Sequence, residues 1–176
     1  RMEFIEKITE LARIVHSQIT DGSENLDIVY SSSAELGCAR TSSELADELR
    51  KGFAAVRGDE IRRGVTLIGP QRDDLLFTIN GVSTRVYGSQ GQQRTVALSL
   101  RLAELELMEQ LAKESPVVLL DDVMTDLDEE RRAHVFHMTR GRCQTFLTAA
   151  SRRVFDEEVL GAGRIYRVGE GKVIEE

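Results

Sequence analysis

Two neighbouring aspartates follow an apolar run in the second half of the chain. The run is Val117-Val118-Leu119-Leu120, and Asp121 and Asp122 come directly after it. Ligands of open α/β sheets bind beyond the carboxyl ends of strands, so the position of these acids indicates a site. Neighbours on a strand point to opposite faces, which suggests different tasks. Asp121 could hold a hydrated magnesium ion, while Asp122 could orient or deprotonate a water. The alternative is a strand end followed by an acidic helix cap.

A glycine-containing segment, Gly88-Ser89-Gln90-Gly91-Gln92-Gln93-Arg94, begins a long helical pattern. The spacing of Ser89 and Gln92 fits a capping box, in which the serine side chain accepts from a free backbone N–H. Gly91 weakens the first turn by about 0.5–1 kcal/mol relative to alanine, but it leaves backbone N–H groups open to a ligand. Because a helix N-terminus carries about half a positive charge, this turn is suited to phosphate. An ordinary capped helix is the alternative.

The elements that position these residues are predicted from periodicity and turn signals. Apolar residues at helical spacing, with Asn80-Gly81 as the strongest hairpin signal, define most of them. Asp128 is suited to cap the helix that follows the acids. The predicted helices cover about residues 4–19, 44–57, 89–113, 129–139 and 152–160. The predicted strands cover residues 26–30, 65–68, 75–79, 83–87, 117–120, 143–148, 165–168 and 172–174.

The second half of the chain alternates helices and strands, which favours an α/β fold. The run at 117–120 is apolar without alternation, as in a parallel-sheet strand covered on both faces. The helix at 89–113 is apolar on two sides, so we expect it to lie between other elements.

Composition narrows the class of protein. The chain has 176 residues, of which 41% are hydrophobic and 30% charged, as in soluble globular proteins. No apolar run approaches the roughly 20 residues of a membrane span, and no signal peptide is visible, so we expect a cytoplasmic protein without membrane contact. A net charge of -7 argues against a stand-alone DNA clamp, because neutralising phosphates needs clustered Lys and Arg.

The motifs, in this order, resemble the C-terminal part of an ABC-type ATPase head. Gly88–Gln92 resembles its signature motif, Leu119–Asp122 its Walker B motif, and Thr125–Asp128 its D-loop. With Gly69–Asp74 and Ile79–Gly81 added, nearly the whole chain resembles the SMC/RecF-like family of DNA repair proteins. The resemblance implies an α/β fold with short parallel strands, a β-hairpin and an adjoining helical arm segment.

The resemblance also implies an ATP-dependent homodimer that uses Mg²⁺. The signature residues of one subunit would contact the nucleotide of the other in trans; they are Ser89, Gln90, Gly91 and Gln92. In cis, Asp122 would be catalytic and Asp121 would bind Mg²⁺ through water. Thr125, Asp126 and Asp128 would form the D-loop.

The family's role implies a mediator of DNA replication, repair and recombination, linked to the SOS response. It would act on DNA at single-strand gaps and duplex junctions, with RecR and RecO as partners. Residues 1–58 would then be the end of a helical arm or second lobe, and residues 59–176 a portion of the head.

The chain departs from the family pattern at several positions. Gln71 stands where the family usually has histidine, and Thr125-Asp126 where the D-loop usually has Ser-Glu. Transporter-type relatives carry a switch histidine after the strand ending near Thr148. Ala149-Ala150-Ser151 follows here, so a γ-phosphate sensor would have to be Thr148 or Ser151.

The chain has no Gly-x-x-x-x-Gly-Lys-Ser/Thr motif. The phosphate-cradling loop of Walker A is expected in an N-terminal part, and this chain alone is expected to be inactive towards ATP. Two alternatives stay open: an SMC-type head that organises chromosomes, and a non-enzymatic interaction module that binds no nucleotide.

Overall fold

The structure, a computed structural model, describes residues 1–39, 41–112 and 115–176. The α/β fold expected from the sequence is confirmed. Clusters of contacts divide the chain into two units, Arg1–Leu98 and Ser99–Glu176. The functional division expected at residue 58 is a different matter and stays a prediction. Within the described ranges, no helix has the length and apolar character needed to cross a membrane.

The first unit combines helices with a three-stranded antiparallel sheet in the order β1-β2-β3. Its first helix is amphipathic and buries residues spaced three or four apart, as a helical stripe requires. Phe4, the first residue of the predicted helix, is 46% exposed, whereas its neighbour Ile5 is buried. In chain order the elements are α1 (Met2–Ile19), β1 (Leu26–Ser31), α2 (Ser42–Arg63), β2 (Asp74–Ile79), β3 (Val82–Ser83), α3 (Thr84–Tyr87) and the first part of α4 (Gln90–Ala112).

The hairpin predicted at Asn80-Gly81 is confirmed. Ile79 pairs with Val82, and both turn residues have positive φ, 51° and 79°. A two-residue turn of this kind matches the twist of antiparallel strands, and asparagine and glycine adopt it at low cost. The turn thereby fixes the register that brings the chain back towards the start of α4.

Two predicted strands of this unit are wrong. Residues 65–68 form no strand: Gly64, at φ 66°, ends α2, and the Leu67 N–H donates to Glu60 Oε1 at 2.7 Å. The strand predicted over 83–87 ends at Ser83, because the Thr84 hydroxyl donates to the Phe77 carbonyl and the chain turns into α3. In both places a local polar bond replaces the ladder that a strand would need.

The second unit carries a pair of parallel strands and a closing hairpin. The helix predicted over 152–160 is interrupted, because Asp156 accepts from the Val159 N–H and starts a new, short helix. Lys113, the predicted end of the long helix, lies outside the described residues. The elements after α4 are β4 (Val118–Asp121), a 3-10 turn (Val123–Asp126), α5 (Glu129–Thr139), β5 (Thr145–Thr148), a 3-10 turn (Arg152–Val154), α6 (Glu157–Gly161), β6 (Tyr166–Gly169) and β7 (Lys172–Glu175).

Burial of α4 follows the expected pattern, whereas burial of β4 does not. Leu102 and Ala103, on different sides of α4, are both buried. On β4, Leu120 is buried, but Leu119 is 72% exposed and its partner Phe146 on β5 is 50% exposed. The expectation of a strand covered on both faces is therefore wrong within the described residues. Paired neighbours share a face, and that face of the strand pair is open.

Asp73 holds together the loops of the first unit. Its carboxylate, 6% exposed, accepts from the Ser33 N–H at 2.7 Å, from the Ser33 hydroxyl at 2.8 Å and from the Tyr30 hydroxyl. Burial alone would raise the pKa of Asp73, but the Ser33 and Tyr30 donors and the Arg1 charge outweigh burial and lower it. Burial and the Asp73 charge raise the pKa of Tyr30. The carboxylate therefore ties β1 and the Ser33 loop to the start of β2.

We expect Asp73→Ala to lower the free energy of unfolding by about 2–3 kcal/mol, since three donors lose a buried charged acceptor. A carboxyl with a lowered folded pKa stabilises above its unfolded pKa, about 3.9, and loses that effect as pH falls through the folded value. The gap between wild type and variant in urea denaturation should therefore narrow below about pH 4.

Asp74→Ala is the matched control, because that neighbouring carboxylate is 59% exposed and makes only exposed contacts among the described residues, with the Arg85 guanidinium at 3.2 Å and the Leu75 N–H at 2.9 Å. Its effect should stay within about 1 kcal/mol. A stability gap for Asp73→Ala that is constant from neutral to acid pH would contradict this account of the carboxylate.

Candidate functional site

The first turn of α4 is closed by a reciprocal pair of hydrogen bonds. The Gln92 N–H donates to Ser89 Oγ at 3.1 Å, and the Ser89 N–H donates to Gln92 Oε1 at 3.0 Å. The capping box predicted from the sequence is thereby confirmed. We call residues 88–94 the signature turn. Its backbone is fixed by its own side chains.

Two glycines of the signature turn differ in what the fold requires. A Cβ on Gly88 would lie 2.4 Å from the Thr84 carbonyl oxygen, so the close approach of α3 demands glycine there. A Cβ on Gly91 would meet only Ser89 Oγ, at 3.8 Å, an ordinary contact. The described residues therefore do not require a glycine at 91, where glycine weakens the helix. A bare backbone at that position is suited to the approach of another molecule.

The four predicted signature residues lie together on this turn. Ser89, Gln90 and Gly91 are exposed, whereas Gln92 is half-buried and its side chain is engaged in the capping box. Because Ser89 Oγ accepts from Gln92, the hydroxyl proton can still donate outwards. A hydroxyl donor, open N–H groups and the positive end of a long helix suit an anion. That they bind nucleotide in trans stays a prediction.

The two acids stand at the carboxyl end of β4, in the second unit. Asp121 is the last residue of the strand and lies opposite Thr148, the last residue of β5. The Thr148 hydroxyl donates to Asp121 Oδ1 at 2.5 Å and accepts from the Asp122 N–H at 3.0 Å. One threonine therefore fixes both the side chain of Asp121 and the backbone of Asp122.

Asp122 lies just beyond the strand. Its φ of 54° is in the left-handed region, which aspartate tolerates better than most residues. Its Oδ1 accepts from the Thr125 hydroxyl at 2.6 Å, and the buried Met124 anchors the turn between them. The acids differ in surroundings, as expected, but the cause is this turn and not the alternation of a strand.

The D-loop residues form the 3-10 turn and the cap after it. Thr125 and Asp126 belong to the turn, and Asp128 caps α5 by accepting from the Arg131 N–H at 2.9 Å. The cap predicted at Asp128 is confirmed. Through its hydroxyl, Thr125 links the D-loop to Asp122.

The donor set suits magnesium better than a metal held fully by protein. Within the part of the chain that the structure describes, no three His, Cys, Asp or Glu side chains group into a metal site. Oδ2 of Asp121 accepts no hydrogen bond from the described residues, and the side chain is exposed. Magnesium keeps several waters and uses one or two carboxylates, so a single exposed carboxylate fits it.

From the sequence, Thr148 or Ser151 is predicted to sense the γ-phosphate. The Thr148 hydroxyl is engaged with the two acids, and Ser151 Oγ accepts from the Arg153 N–H at 3.3 Å. Sequence reasoning missed the link from Thr148 to the acids. The available signal was that a second apolar strand ends in a threonine, which parallel pairing with β4 places beside Asp121.

Comparisons with known proteins give a consistent answer. No protein-family model matches the chain. The DNA replication and repair protein RecF of Bacillus subtilis is 41% identical over 174 residues, 99% of this chain and 47% of the relative. The same protein of Chloroflexus aggregans is 44% identical over 174 residues, 98% of this chain and 44% of the relative. The chain thus spans about half the length of the curated relatives it matches.

Two solved structures that match this chain are also of RecF proteins. The recombination mediator protein RecF-ATP in the RecFOR pathway matches with a TM-score of 0.79 and 29% identity, over 99% of this chain and 44% of that one. The chain matches the C-terminal portion of RecF along nearly its whole length. A second RecF structure, with ATPγS, matches with a TM-score of 0.81 and 30% identity, over 98% of this chain and 44% of that one. These matches favour the RecF interpretation over the SMC-type alternative, and they include both the signature turn and the acids.

We expect Thr148→Val to lower the free energy of unfolding by about 1 kcal/mol, because an exposed hydroxyl that makes two hydrogen bonds is lost at nearly constant shape. Thr148→Ser keeps the hydroxyl and should retain most of the stability. Urea denaturation measures both. Thr145→Val on the same strand is the control, since the Thr145 hydroxyl touches neither acid. Equal losses for the two valine variants would contradict the role given to Thr148.

Proposed function

We propose that this chain is part of an ATP-dependent mediator of DNA repair and recombination that acts at single-strand gaps and duplex junctions. The carrying observation is the match to RecF-ATP over 99% of the chain, because the matched region contains the signature turn and both acids. The partners proposed with this role are DNA, RecR and RecO, and the place of action is the cytoplasm.

We propose further that the signature turn acts in trans across an ATP-dependent homodimer. Ser89, Gln90, Gly91 and Gln92 of one subunit face the γ-phosphate of the nucleotide held by the other. The open backbone at Gly91 and the outward hydroxyl of Ser89 support this arrangement. A helix N-terminus adds attraction for negative charge at the same point.

The acids act in cis in this proposal. Asp121 holds Mg²⁺ through water, and the ion offsets phosphate charge when bound. Asp122 accepts a proton from, or orients, the attacking water. Two hydrogen bonds support these separate roles. The Thr148 hydroxyl donates to Asp121 Oδ1, and the Thr125 hydroxyl donates to Asp122 Oδ1. Among the described residues, Oδ2 of Asp121 is then left for hydrated Mg²⁺ and Oδ2 of Asp122 for the attacking water.

In this proposal the D-loop links the dimer interface to the catalytic acid, Asp122. Thr125, Asp126 and Asp128 lie next to Asp122 in the chain, and the Thr125 hydroxyl donates to it directly. A partner subunit that shifts the 3-10 turn therefore shifts Asp122 as well.

In this proposal residues 1–58 are the end of the helical arm or second lobe and residues 59–176 a portion of the head. Walker A is supplied from outside this chain, so the chain alone neither binds ATP tightly nor hydrolyses it. The net charge of -7 supports the proposal that the main DNA surface lies outside this chain.

Replacing Ser89 by arginine tests the trans arrangement. In the full-length protein, we expect Ser89→Arg to remain monomeric with ATP, because a bulky side chain blocks the partner's phosphate. Nucleotide affinity of the monomer should be unchanged, because that site lies on the other motifs. Size-exclusion chromatography with light scattering, with and without ATP, reads the first effect, and a nucleotide titration reads the second.

Ser43→Arg is the matched control, since Ser43 is also an exposed serine in the first turn of a helix. It should dimerise as wild type does. A Ser89→Arg protein that dimerises normally with ATP would refute the trans arrangement and leave the signature turn as a capped helix start.

The two acids should respond differently to loss of charge in the full-length protein. Asp122→Asn should leave ATP binding intact and slow hydrolysis by about 100-fold or more, because an amide cannot take a proton, so the ATP-bound dimer persists. Asp121→Asn should weaken Mg²⁺-dependent ATP binding itself. Affinity titrations and single-turnover hydrolysis separate the two. Equal losses of binding in both variants would show that the roles are divided wrongly.

A further inference from the structure

A buried histidine begins a hydrogen-bonded path that ends at the signature turn. His16 is fully buried, and its Nε2 lies 3.1 Å from Glu24 Oε2. The other oxygen, Glu24 Oε1, accepts from Gln92 Nε2 at 2.9 Å. Because a carboxylate oxygen only accepts, the imidazole donates from Nε2 and the Gln92 amide donates from its nitrogen. Glu24 thus joins α1 to the start of α4 inside one unit.

The local fold explains why Glu24 reaches both partners. His16 lies in the last turn of α1, and Thr20 and Ser23 close the helix end by donating to the His16 and Thr20 carbonyls. The chain therefore turns back, and Glu24 lies beside His16 just before β1 begins. Its side chain is only 18% exposed. A carboxylate this sheltered needs donors on both oxygens, and His16 and Gln92 supply them.

The bond to Glu24 decides which way the Gln92 amide faces. The Gln92 side chain has one oxygen and one nitrogen, and the capping box uses the oxygen to accept from the Ser89 N–H. With the nitrogen held by Glu24, the oxygen has to face Ser89. Without Glu24 the amide can rotate, and the cap loses its acceptor for part of the time. Hydrogen bonds to a charged acceptor are stronger than those between neutral groups, so Glu24 holds the Gln92 amide firmly in this orientation.

We propose that Glu24 is a positioning residue for the signature turn: it acts through Gln92 and is itself held by His16. Glu24 touches no nucleotide in this scheme. The inference rests on the proposed function for its effect on ATP-dependent dimerisation, while its effect on the turn itself is independent of that function. It also makes the end of α1 part of the support of the signature turn, 68 residues away in the chain.

The first experiment reads the turn directly. Hydrogen–deuterium exchange of the full-length protein without nucleotide follows the hydrogen-bonded backbone amides of Ser89, Gln92 and Gln93. We expect Glu24→Ala to speed their exchange about tenfold, the equivalent of one lost hydrogen bond to a charged group. Glu24→Gln keeps an acceptor at nearly the same size and should fall in between. Asp21→Asn is the control, since it removes the same charge from an exposed position with positive φ that asparagine suits.

The second experiment reads the consequence for dimerisation. Light scattering with ATP should show an ATP-dependent dimer about tenfold weaker for Glu24→Ala, with nucleotide affinity of the monomer unchanged. Gln92→Ala should weaken the dimer at least as much, because Gln92 is also one of the residues proposed to face the partner's nucleotide. The double variant Glu24→Ala/Gln92→Ala should be no worse than Gln92→Ala alone, because Glu24 acts through Gln92.

The outcomes separate the inference from the function on which it rests. Unchanged exchange at the amides of Ser89, Gln92 and Gln93 in Glu24→Ala, or additive losses of dimerisation in the double variant, would overturn the positioning role. A wild-type protein that forms no dimer with ATP would reject the proposed trans site, and faster exchange in Glu24→Ala would then still support Glu24 as the support of the turn.

Discussion

The first turn of α4 depends on a single capping box. The bonds between Ser89 and Gln92 determine the direction of the N–H groups at the start of a 23-residue helix. Free N–H groups at a helix start are satisfied by a side chain, by water or by a ligand. Here the side chains satisfy the amides at 89 and 92, so the exposed backbone around Gly91 is left to water or a ligand. The remaining features of the first unit, the tight approach of α3 at Gly88 and the contact from Glu24, keep that turn in place.

In the second unit, threonine hydroxyls hold the functional side chains in position. An aspartate that ends a strand is free to rotate unless a neighbour holds one of its oxygens. Thr148 holds Asp121 from the adjacent strand, and Thr125 holds Asp122 from the turn that follows. Hydroxyl groups both donate and accept, so Thr148 can bond the Asp122 backbone with the same oxygen. Neutral donors of this kind orient a carboxylate without removing its charge, which a lysine or arginine in the same place would neutralise.

Local signals in the sequence predicted local structure well. The Asn80-Gly81 turn, the caps at Ser89 and Asp128, and the parallel strands β4 and β5 were all predictable, because each depends on neighbouring residues or on apolar runs. Predictions failed where side chains and backbone bond in ways that periodicity ignores. The Thr84 hydroxyl ends β3, and Asp156 divides a helical pattern in two. Contacts between distant segments, such as Glu24 with Gln92, leave no trace in spacing, and only the fold shows them.

The open face of the β4–β5 pair has a thermodynamic consequence. Leu119 and Phe146 lie side by side and are exposed within the described residues, and moving an apolar side chain of this size from full exposure to full burial contributes about 1.5–3 kcal/mol. Any layer that covers this face is therefore held by a free energy that also stabilises the strand ending at Asp121. Formation of the acid site and coverage of the sheet are coupled in this way. A substitution that loosens any such layer, even one far from the two aspartates, would therefore also lower the order of the strand that carries Asp121.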